Sequence, residues 1–338
     1  MLVAQTAFIG DLVLTTPLLG ALRERLPARP ITLLTTPAGA ELLAGHPALD
    51  GFIVYDKRGA RRGAFREAVR AVRDGGFALA IAPHRSARTA ALLRLARIPR
   101  RVGMHDARGA WLYTDRVRRE PSRPEIDRNL QLADPFGESI APGSVAPYLP
   151  LDPSARDRVR SLLKSRGIPR DYFVCAPGSV WATKRWLPGR FAEAINRASR
   201  AYGAPGVLVG SPADRDVARE VSRHLSAHGA ADLVGRTGLR ELTALIAGAR
   251  FVLTNDSAPM HIATAVGTPV VAVFGPTVRA LGFFPHGERA RVVEHPDLAC
   301  RPCGRHGHER CPKKHFRCME EIPVDAVLAA LGDLIGDR

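Results

Sequence analysis

A polar group of side chains stands between two apolar segments in the second half of the chain, at Asn255, Asp256 and Ser257. The apolar stretch RFVL precedes this group, and the stretch APMHIATAVG, from Ala258 onward, predicts a helix. The unpaired N–H groups and the positive dipole end of that helix would favour a phosphate at this point. Ser257 is therefore expected to cap the helix and also to contact an anion.

Two further side chains in this stretch predict different contacts. Asp256 would repel a phosphate, so we expect it to hold a sugar hydroxyl or to orient the loop. His261 lies one turn into the predicted helix, where it either reaches the anion or packs as a core histidine. The helix is expected to end at Gly267, and the next strand, PVVAVF, leads to Gly275 and Thr277 at the same edge.

A second loop, PGSVWATKRW, combines cations with aromatic side chains. Ser179 and its neighbouring N–H groups could form an anion nest, and Lys184 and Arg185 add two positive charges. Trp181 and Trp186 flank these cations, and they either stack on a base or anchor the loop. We favour a clamp for a diphosphate or for an acceptor phosphate here, and ordinary loop packing is the alternative.

A third loop, AFIGDLVLTTP, carries the carboxylate of Asp11 after a glycine, Gly10, that permits a tight turn. One interpretation is a general base that takes a proton from an acceptor hydroxyl. The other is a helix N-cap with no role in chemistry.

The elements that position these loops alternate between strands and helices. The pattern is strand–helix–strand through residues 1–128, breaks in a Pro- and Ser-rich segment at 129–155 that reads as a linker, and then restarts. Such alternation predicts an α/β fold of two Rossmann-like domains with parallel sheets that face each other across a cleft. We place the domains at 1–150 and 151–322, followed by a last helix at 323–338. One option for this helix is that it crosses back to the first domain.

Length and composition agree with this organisation. The chain has 338 residues, which suits two domains, and 46% of them are hydrophobic, enough for two cores. No apolar run reaches the roughly 18 residues of a membrane helix. The first fifteen residues lack a basic segment and include Asp11, so we expect no signal peptide and a cytoplasmic protein.

The positive charge is unevenly distributed. The formal net charge is +16, and residues 57–128 contain 19 Lys or Arg against 7 Asp or Glu. This segment predicts an anionic partner, which could be nucleic acid, a membrane surface or a phosphorylated substrate. Solvated surface arginines are the simpler interpretation.

Four of the five cysteines fall in the segment CRPCGRHGHERCPKKHFRC. The spacing C-x₂-C-x₇-C-x₆-C suits a tetrahedral structural zinc, although the second pair is wider than usual. Free thiols and a redox pair are alternatives, and three histidines offer other ligands. The cysteines are Cys300, Cys303, Cys311 and Cys318, and the histidines are His306, His308 and His315.

Taken together, four stretches of the sequence resemble glycosyltransferase family 9, the ADP-heptose:lipopolysaccharide heptosyltransferases, and most closely the heptosyltransferase II branch. In chain order they are IGDLVLTTPLLGALRERLP, APGSVWATKRWLPGRFAEAI, VGRTGLRELTALIAGARFVLTNDSAPMHIATAVGTPVVAVFGPT and CRPCGRHGHERCPKKHFRCMEEI. The third stretch is the most specific. The resemblance implies a GT-B fold and an inverting transfer of heptose from ADP-heptose to a lipid A–core acceptor.

The resemblance also implies roles for individual residues. Asp11 is similar to the catalytic base of the family, and Lys184 to a lysine that contacts the donor. The expected donor-binding residues are Ser179, Lys184, Arg185, Asp256, Ser257, Ala258, His261, Gly275 and Thr277. The expected acceptor-binding residues are Gly10, Thr15, Arg85 and Arg88.

Lysine, arginine and a helix end can stabilise the leaving ADP without a divalent metal, and the loops contain no Asp-x-Asp motif. We therefore expect no cofactor for catalysis and, at most, a structural zinc. We expect a monomer that acts at the cytoplasmic face of the inner membrane and binds no specific nucleic acid. Alternatives are a GT-B enzyme with another nucleotide sugar, a basic nucleic-acid-binding protein and a non-catalytic relative.

Overall fold

The computed structural model describes residues 1–57, 63–226 and 229–336. The chain divides into two compact units, Met1–Pro150 and Leu151–Arg338. In its described part, each unit has a six-stranded sheet in which all neighbouring strands run parallel, with helices in the connections. The α/β class predicted from the sequence is confirmed.

The elements of the first unit alternate along the chain. Its strands are β1 (Leu2–Ala4), β2 (Thr32–Thr35), β3 (Gly51–Val54), β4 (Leu79–Ala82), β5 (Arg100–Met104) and β6 (Asp115–Val117). Its helices are α1 (Ile9–Val13), α2 (Thr16–Arg25), α3 (Pro37–Leu42), α4 (Ala64–Asp74), α5 (Ala87–Leu95) and α6 (Glu125–Leu130).

The second unit repeats this alternation. Its strands are β7 (Phe173–Ala176), β8 (Gly206–Leu208), β9 (Ala230–Asp232), β10 (Val252–Asn255), β11 (Val270–Phe274) and β12 (Ala290–Glu294). Its helices are α7 (Pro153–Ser165), α8 (Pro188–Tyr202), α9 (Arg215–Ser222), α10 (Leu239–Ala247), α11 (Ala258–Ala265), α12 (Arg317–Glu320) and α13 (Val324–Ile335).

Both sheets have the same strand order, which determines where a ligand can bind. The first sheet runs β3-β2-β1-β4-β5-β6, and the second runs β12-β11-β10-β7-β8-β9. In each, the first strand of the unit pairs with the fourth, so the order reverses between β1 and β4 and between β7 and β10. Ligands of such sheets bind beyond the carboxyl ends of the strands at this switch point. The loops after these four strands are therefore the candidate binding loops.

The strands inside each sheet were all predicted from the sequence, and two of the four edge strands were not. The four residues of β4 and the five of β11 are all buried, because helices cover both faces of a parallel sheet. β6 and β12 were not predicted. Both are edge strands in which most side chains are partly exposed, so their sequences, DRV and ARVVE, lack a continuous apolar run.

Three helix termini follow the expected local chemistry. Pro17 lies in the first turn of α2, and Gly267 follows α11 with φ +76°, as predicted. The carboxylate of Asp152 caps α7 by accepting hydrogen bonds from the N–H groups of Ser154 and Ala155, each at 3.1 Å.

The predicted linker at 129–155 is wrong in its first part. Residues 131–136 form a 3₁₀ helix directly after α6, and Leu132 and Ala133 are buried. The side-chain amide of Asn129 donates to the carbonyl of Leu14 at 3.0 Å. These residues therefore belong to the core of the first unit.

The core of the second unit lies between its sheet and helices α8 and α13. Phe173 and Phe251 stack with ring centroids 4.6 Å apart, and Trp186 is 1% exposed. α13 packs on α8 and β12 of the same unit. The predicted return of the last helix to the first domain stays a prediction. Within the described residues, none of the helices combines the length and apolar character needed to cross a membrane.

Gly103 in β5 gives a test of the first core. A Cβ at this position would overlap the buried ring of Tyr113, whereas a Cβ on Gly51 in β3 meets nothing closer than 4.0 Å. We expect Gly103→Ala to lower the free energy of unfolding of the first unit by about 1–3 kcal/mol, because the added methyl group overpacks the core. Hydrogen exchange of the β5 amides measures it, and Gly51→Ala is the matched control. Equal effects of the two substitutions would contradict this description of the core.

Candidate functional site

Lys184, Asp256 and Thr277 form a hydrogen-bonded cluster at the carboxyl edge of the second sheet. Lys184 Nζ lies 2.6 Å from Asp256 Oδ2, and the Thr277 hydroxyl donates to the same oxygen at 2.6 Å. These residues follow β7, β10 and β11, so the cluster joins three loops at one edge. The structure thus brings together three of the residues predicted to bind a donor.

The cluster is buried but keeps polar atoms for a ligand. The side chains of Lys184 and Asp256 are 12% and 7% exposed, and such a pair is costly to break because the remaining charge is left unpaired. In the part of the chain that the structure describes, both hydrogen bonds to Asp256 fall on Oδ2. Oδ1 can therefore accept a ligand hydroxyl, and the Lys184 ammonium retains N–H groups for an anion.

Asn255 fixes the loop that carries Lys184. Its side chain is fully buried, where Oδ1 accepts from the N–H of Trp186 at 3.0 Å and Nδ2 donates to the carbonyl of Pro177 at 2.8 Å. One amide thus holds both ends of the loop after β7. The sequence analysis gave Asn255 no role, because its partners lie more than 65 residues away along the chain.

The two tryptophans of this loop have different surroundings. Trp186 is in the core, and its indole N–H donates to the carbonyl of Ile322 at 3.3 Å. Of the two interpretations offered by the sequence, anchoring the loop describes Trp186. Trp181 is half-buried and stacks on the ring of His306, with centroids 6.3 Å apart.

Ser179 and Arg185 contact each other across the same loop. The Arg185 guanidinium donates from Nε and Nη2 to the carbonyl of Ser179, at 2.9 and 2.7 Å. These bonds use part of the guanidinium to close the loop. Contact of either residue with a donor stays a prediction.

The loop after β10 leads directly into α11. Ser257 occupies the N-cap position, but its side chain accepts no hydrogen bond from the helix, so the predicted capping by the Ser257 hydroxyl is wrong. The hydroxyl lies 3.2 Å from that of Thr254 instead. The first turn, beginning at Ala258, therefore has no side-chain cap.

His261 is buried, 5% exposed, at the second turn of α11. Burial lowers its pKa to about 4, with the Asp256 carboxylate opposing and the Lys184 ammonium adding to this effect. A pKa in this range favours the neutral imidazole near pH 7, and contact of His261 with a donor stays a prediction. Its Nδ1 atom is buried without a hydrogen-bond partner among the described residues.

Gly275 follows β11 where the backbone approaches Met319. A Cβ at this position would lie 2.6 Å from Met319 Cε, so a larger residue would force the buried Met319 side chain or the loop that carries Thr277 to shift. Packing against Met319 thus favours glycine at this position, and contact of Gly275 with a donor stays a prediction.

Asp11 lies in a short helix that the sequence analysis treated as a loop. It is the third residue of α1, is half-buried, and accepts a hydrogen bond at Oδ2 from the N–H of Phe8 at 3.2 Å. The expectation of a tight turn at Gly10 is wrong, because Gly10 is helical. The Asp11 carboxylate thus stabilises the start of α1. This helix follows β1 directly, at the switch point of the first sheet.

The other predicted acceptor residues differ in accessibility. Thr15 is fully buried, and its hydroxyl donates to the carbonyl of Asp11 at 2.8 Å, so it supports α1. Arg85 follows β4 and pairs with Asp106 at 3.0 Å. Arg88 is exposed and lies 5.5 Å from the ring centroid of Tyr55. Contact of these residues with an acceptor stays a prediction.

Some arginines of the basic segment, residues 57–128, are buried in ion pairs. Arg119 and Arg128, whose side chains are 7% and 4% exposed, both pair with Glu125, at 3.0 and 2.9 Å. These arginines do not contribute to a charged surface patch, although they raise the formal charge of the segment.

The described residues of the cysteine segment have free thiols that do not form a metal site. Within the described residues, no group of three or more His, Cys, Asp or Glu side chains is arranged to hold a metal ion, and the cysteines are free. Cys303 Sγ donates to the carbonyl of Cys300 at 3.2 Å, and Cys300 Sγ lies 3.8 Å from His315 Nε2. Burial raises the pKa of Cys318 to about 11, and the neighbouring thiols add to this.

Comparisons with known proteins agree with this architecture. Lipopolysaccharide heptosyltransferase 3 of Escherichia coli is 27% identical over 281 residues, which cover 80% of this chain and 82% of the relative. A solved glycosyl transferase family 9 structure from Veillonella parvula has a TM-score of 0.85 at 22% identity, over 99% of this chain and 96% of that chain. The structure of E. coli ADP-heptose lps heptosyltransferase II has a TM-score of 0.81 at 23% identity, over 99% and 98%.

These structural similarities establish the fold of the chain, which is that of the GT-B heptosyltransferases. The model of the family described as glycosyltransferase family 9 (heptosyltransferase) matches residues 65–314, well over half of the sequence. The chain therefore belongs to glycosyltransferase family 9, the heptosyltransferases, and is a transferase.

Proposed function

We propose that the protein transfers heptose from ADP-heptose to a hydroxyl of the lipopolysaccharide inner core, at Kdo or heptose on lipid A, with inversion at the anomeric carbon. The observation that carries the proposal is the Lys184–Asp256–Thr277 cluster beside the first turn of α11. The names of relatives support the choice of substrates: one is a lipopolysaccharide heptosyltransferase, and another an ADP-heptose lps heptosyltransferase.

The donor would bind at the cluster through two kinds of contact. The diphosphate is anionic and suits the Lys184 ammonium and the uncapped N–H groups at the start of α11. Oδ1 of Asp256 suits a hydroxyl of the sugar, which places the carboxylate beside the heptose rather than the phosphates. As ADP leaves, its growing negative charge would be stabilised by groups already in place.

The acceptor hydroxyl would react through Asp11. Its oxygen forms a bond to C1 of the heptose while the bond from C1 to the phosphate oxygen breaks, and its proton passes to the Asp11 carboxylate. Attack from the face opposite the leaving group inverts C1.

We place this reaction at the cytoplasmic face of the inner membrane, with the protein acting as a monomer. The exposed part of the basic segment, which includes Arg88, suits carboxylates and phosphates of a lipid A–core acceptor. No specific nucleic acid is part of the proposal.

A transfer assay tests the function directly. Purified protein is incubated with ADP-heptose and a panel of Kdo- and heptose-bearing acceptors, and the products are identified by mass spectrometry. We expect a heptosylated acceptor and an equivalent amount of ADP. Thermal stabilisation by UDP but not by ADP, with transfer from a UDP-sugar, would show that the donor assignment is wrong.

Replacing Asp11 separates chemistry from donor binding. Asp11→Asn retains an acceptor for the Phe8 N–H but cannot take the proton, so we expect transfer to slow by at least about 100-fold. ADP affinity should change by less than about twofold, as measured by calorimetry. Asp74→Asn, at the exposed end of α4, is the control. Near-normal turnover of Asp11→Asn would exclude this residue as the base.

A double-variant comparison separates the two roles of Lys184. Lys184→Met leaves the buried Asp256 carboxylate unpaired, so it destabilises the second unit as well as removing a donor contact. Adding Asp256→Asn removes the unpaired charge and should restore much of the stability. We expect the ADP dissociation constant to stay at least about tenfold raised in both variants.

Recovery of ADP affinity in the double variant would show that Lys184 supports the loop without contacting the donor. Thermal unfolding of both variants supplies the stability measurement.

Metal dependence is tested by chelation and metal analysis. The Lys184 ammonium supplies positive charge at the donor site, so we expect transfer to be unchanged by EDTA, and strict dependence on an added divalent ion would contradict this. The structural zinc predicted from the spacing of Cys300, Cys303, Cys311 and Cys318 stays a prediction, and elemental analysis of the purified protein tests it. Purified protein without zinc would exclude that site.

A further inference from the structure

The loop that carries Thr277 is held by a segment far along the chain. The carbonyl of Pro276 accepts a hydrogen bond from the N–H of Cys303 at 3.0 Å. The carbonyls of Gly275 and Thr277 accept from the Arg301 guanidinium, at 2.5 Å from Nε and 2.8 Å from Nη2. Three successive carbonyls, at 275–277, are therefore fixed by residues 301–303.

Among the described residues, four acceptors bind the Arg301 guanidinium. The side chain is 6% exposed, and it also donates to the carbonyl of His295 and to the carboxylate of Glu294, each at 2.5 Å. The planar guanidinium fixes the directions of these bonds, and Glu294 balances its charge. Arg301 is thus not presented as a ligand for a phosphate, and it acts on the site through the backbone.

The connection continues from the loop into the cluster. The Thr277 hydroxyl donates to Asp256 Oδ2 at 2.6 Å, and Lys184 binds the same oxygen. A shift of the Thr277 backbone would break this bond and leave Asp256 held by Lys184 alone. The orientation of Asp256 Oδ1, the oxygen assigned above to a sugar hydroxyl, therefore depends on where Arg301 holds Thr277.

We propose that Arg301 is a positioning residue for the donor sugar. By binding the carbonyls of Gly275 and Thr277, it holds Thr277 where its hydroxyl can donate to Asp256, and it thereby orients the carboxylate that would accept a hydrogen bond from the heptose. This inference rests on the proposed donor site. Sequence reasoning missed Arg301, because it is one of many arginines in a basic chain and its acceptors are backbone atoms 24 and 26 residues away.

The test compares Arg301→Met, which keeps a long apolar side chain but no donors, with Arg301→Lys, which reaches fewer acceptors. We expect Arg301→Met to raise the KM for ADP-heptose at least about tenfold, with the KM for the acceptor within about twofold. Arg301→Lys should be intermediate. A purely structural role would reduce the fraction of folded enzyme, which lowers kcat and leaves both KM values unchanged.

Arg289→Met is the matched control. Arg289 is exposed and donates to the carbonyl of Gly267, before β11 and away from the cluster, so its loss should leave the donor KM unchanged. An unchanged donor KM in Arg301→Met, or an equal rise of both KM values, would overturn the inference. If Arg301→Met does not fold, the same comparison of donor and acceptor KM values is made in Arg301→Lys, and an unchanged donor KM there would overturn the inference.

A ligand-free measurement separates this inference from the proposed function. Hydrogen exchange of the amides in residues 275–282 should be at least about tenfold faster in Arg301→Met than in Arg289→Met. Equal exchange would overturn the inference whatever the substrate is. Absence of transfer from ADP-heptose by the unaltered protein would instead refute the proposed function.

Discussion

The candidate site of the second unit is built around a buried ion pair between Lys184 and Asp256. Neither charge is stable in this position without the other, because desolvation of a single ion in a protein interior costs more than local packing returns. The pair therefore requires that the loops after β7 and β10 stay together. Asn255 and Trp186 fulfil this requirement through backbone hydrogen bonds and burial. The polar site and the hydrophobic core thus stabilise the same loops.

The repeated strand order explains why the candidate residues occur where they do. A parallel sheet that reverses its order between the first and fourth strands leaves room at that point, and loops from both strands reach it. In the second unit these loops carry Lys184 and Asp256, and in the first they carry Asp11 and Arg85. One architecture used twice thus provides a cationic, amide-lined edge in one unit and a carboxylate in the other.

The sequence predicted what periodicity and local chemistry determine. The alternation of strands and helices, Pro17 in the first turn of α2 and Gly267 after α11 all follow from short-range preferences. The edge strands β6 and β12 and the five-residue α1 were missed because they carry too little apolar pattern. Hydrogen bonds from Asn255 and Arg301, and the burial that keeps His261 neutral, depend on residues brought together only by folding.

The central claim is that the edge shared by β7, β10 and β11 binds the diphosphate and sugar of the donor. A crystal structure of the protein with ADP is the most direct measurement. The account predicts that the diphosphate lies within hydrogen-bond distance of Lys184 Nζ and of the first N–H groups of α11. Nucleotide bound elsewhere on the chain, with the Lys184–Asp256 pair left uncovered, would contradict it.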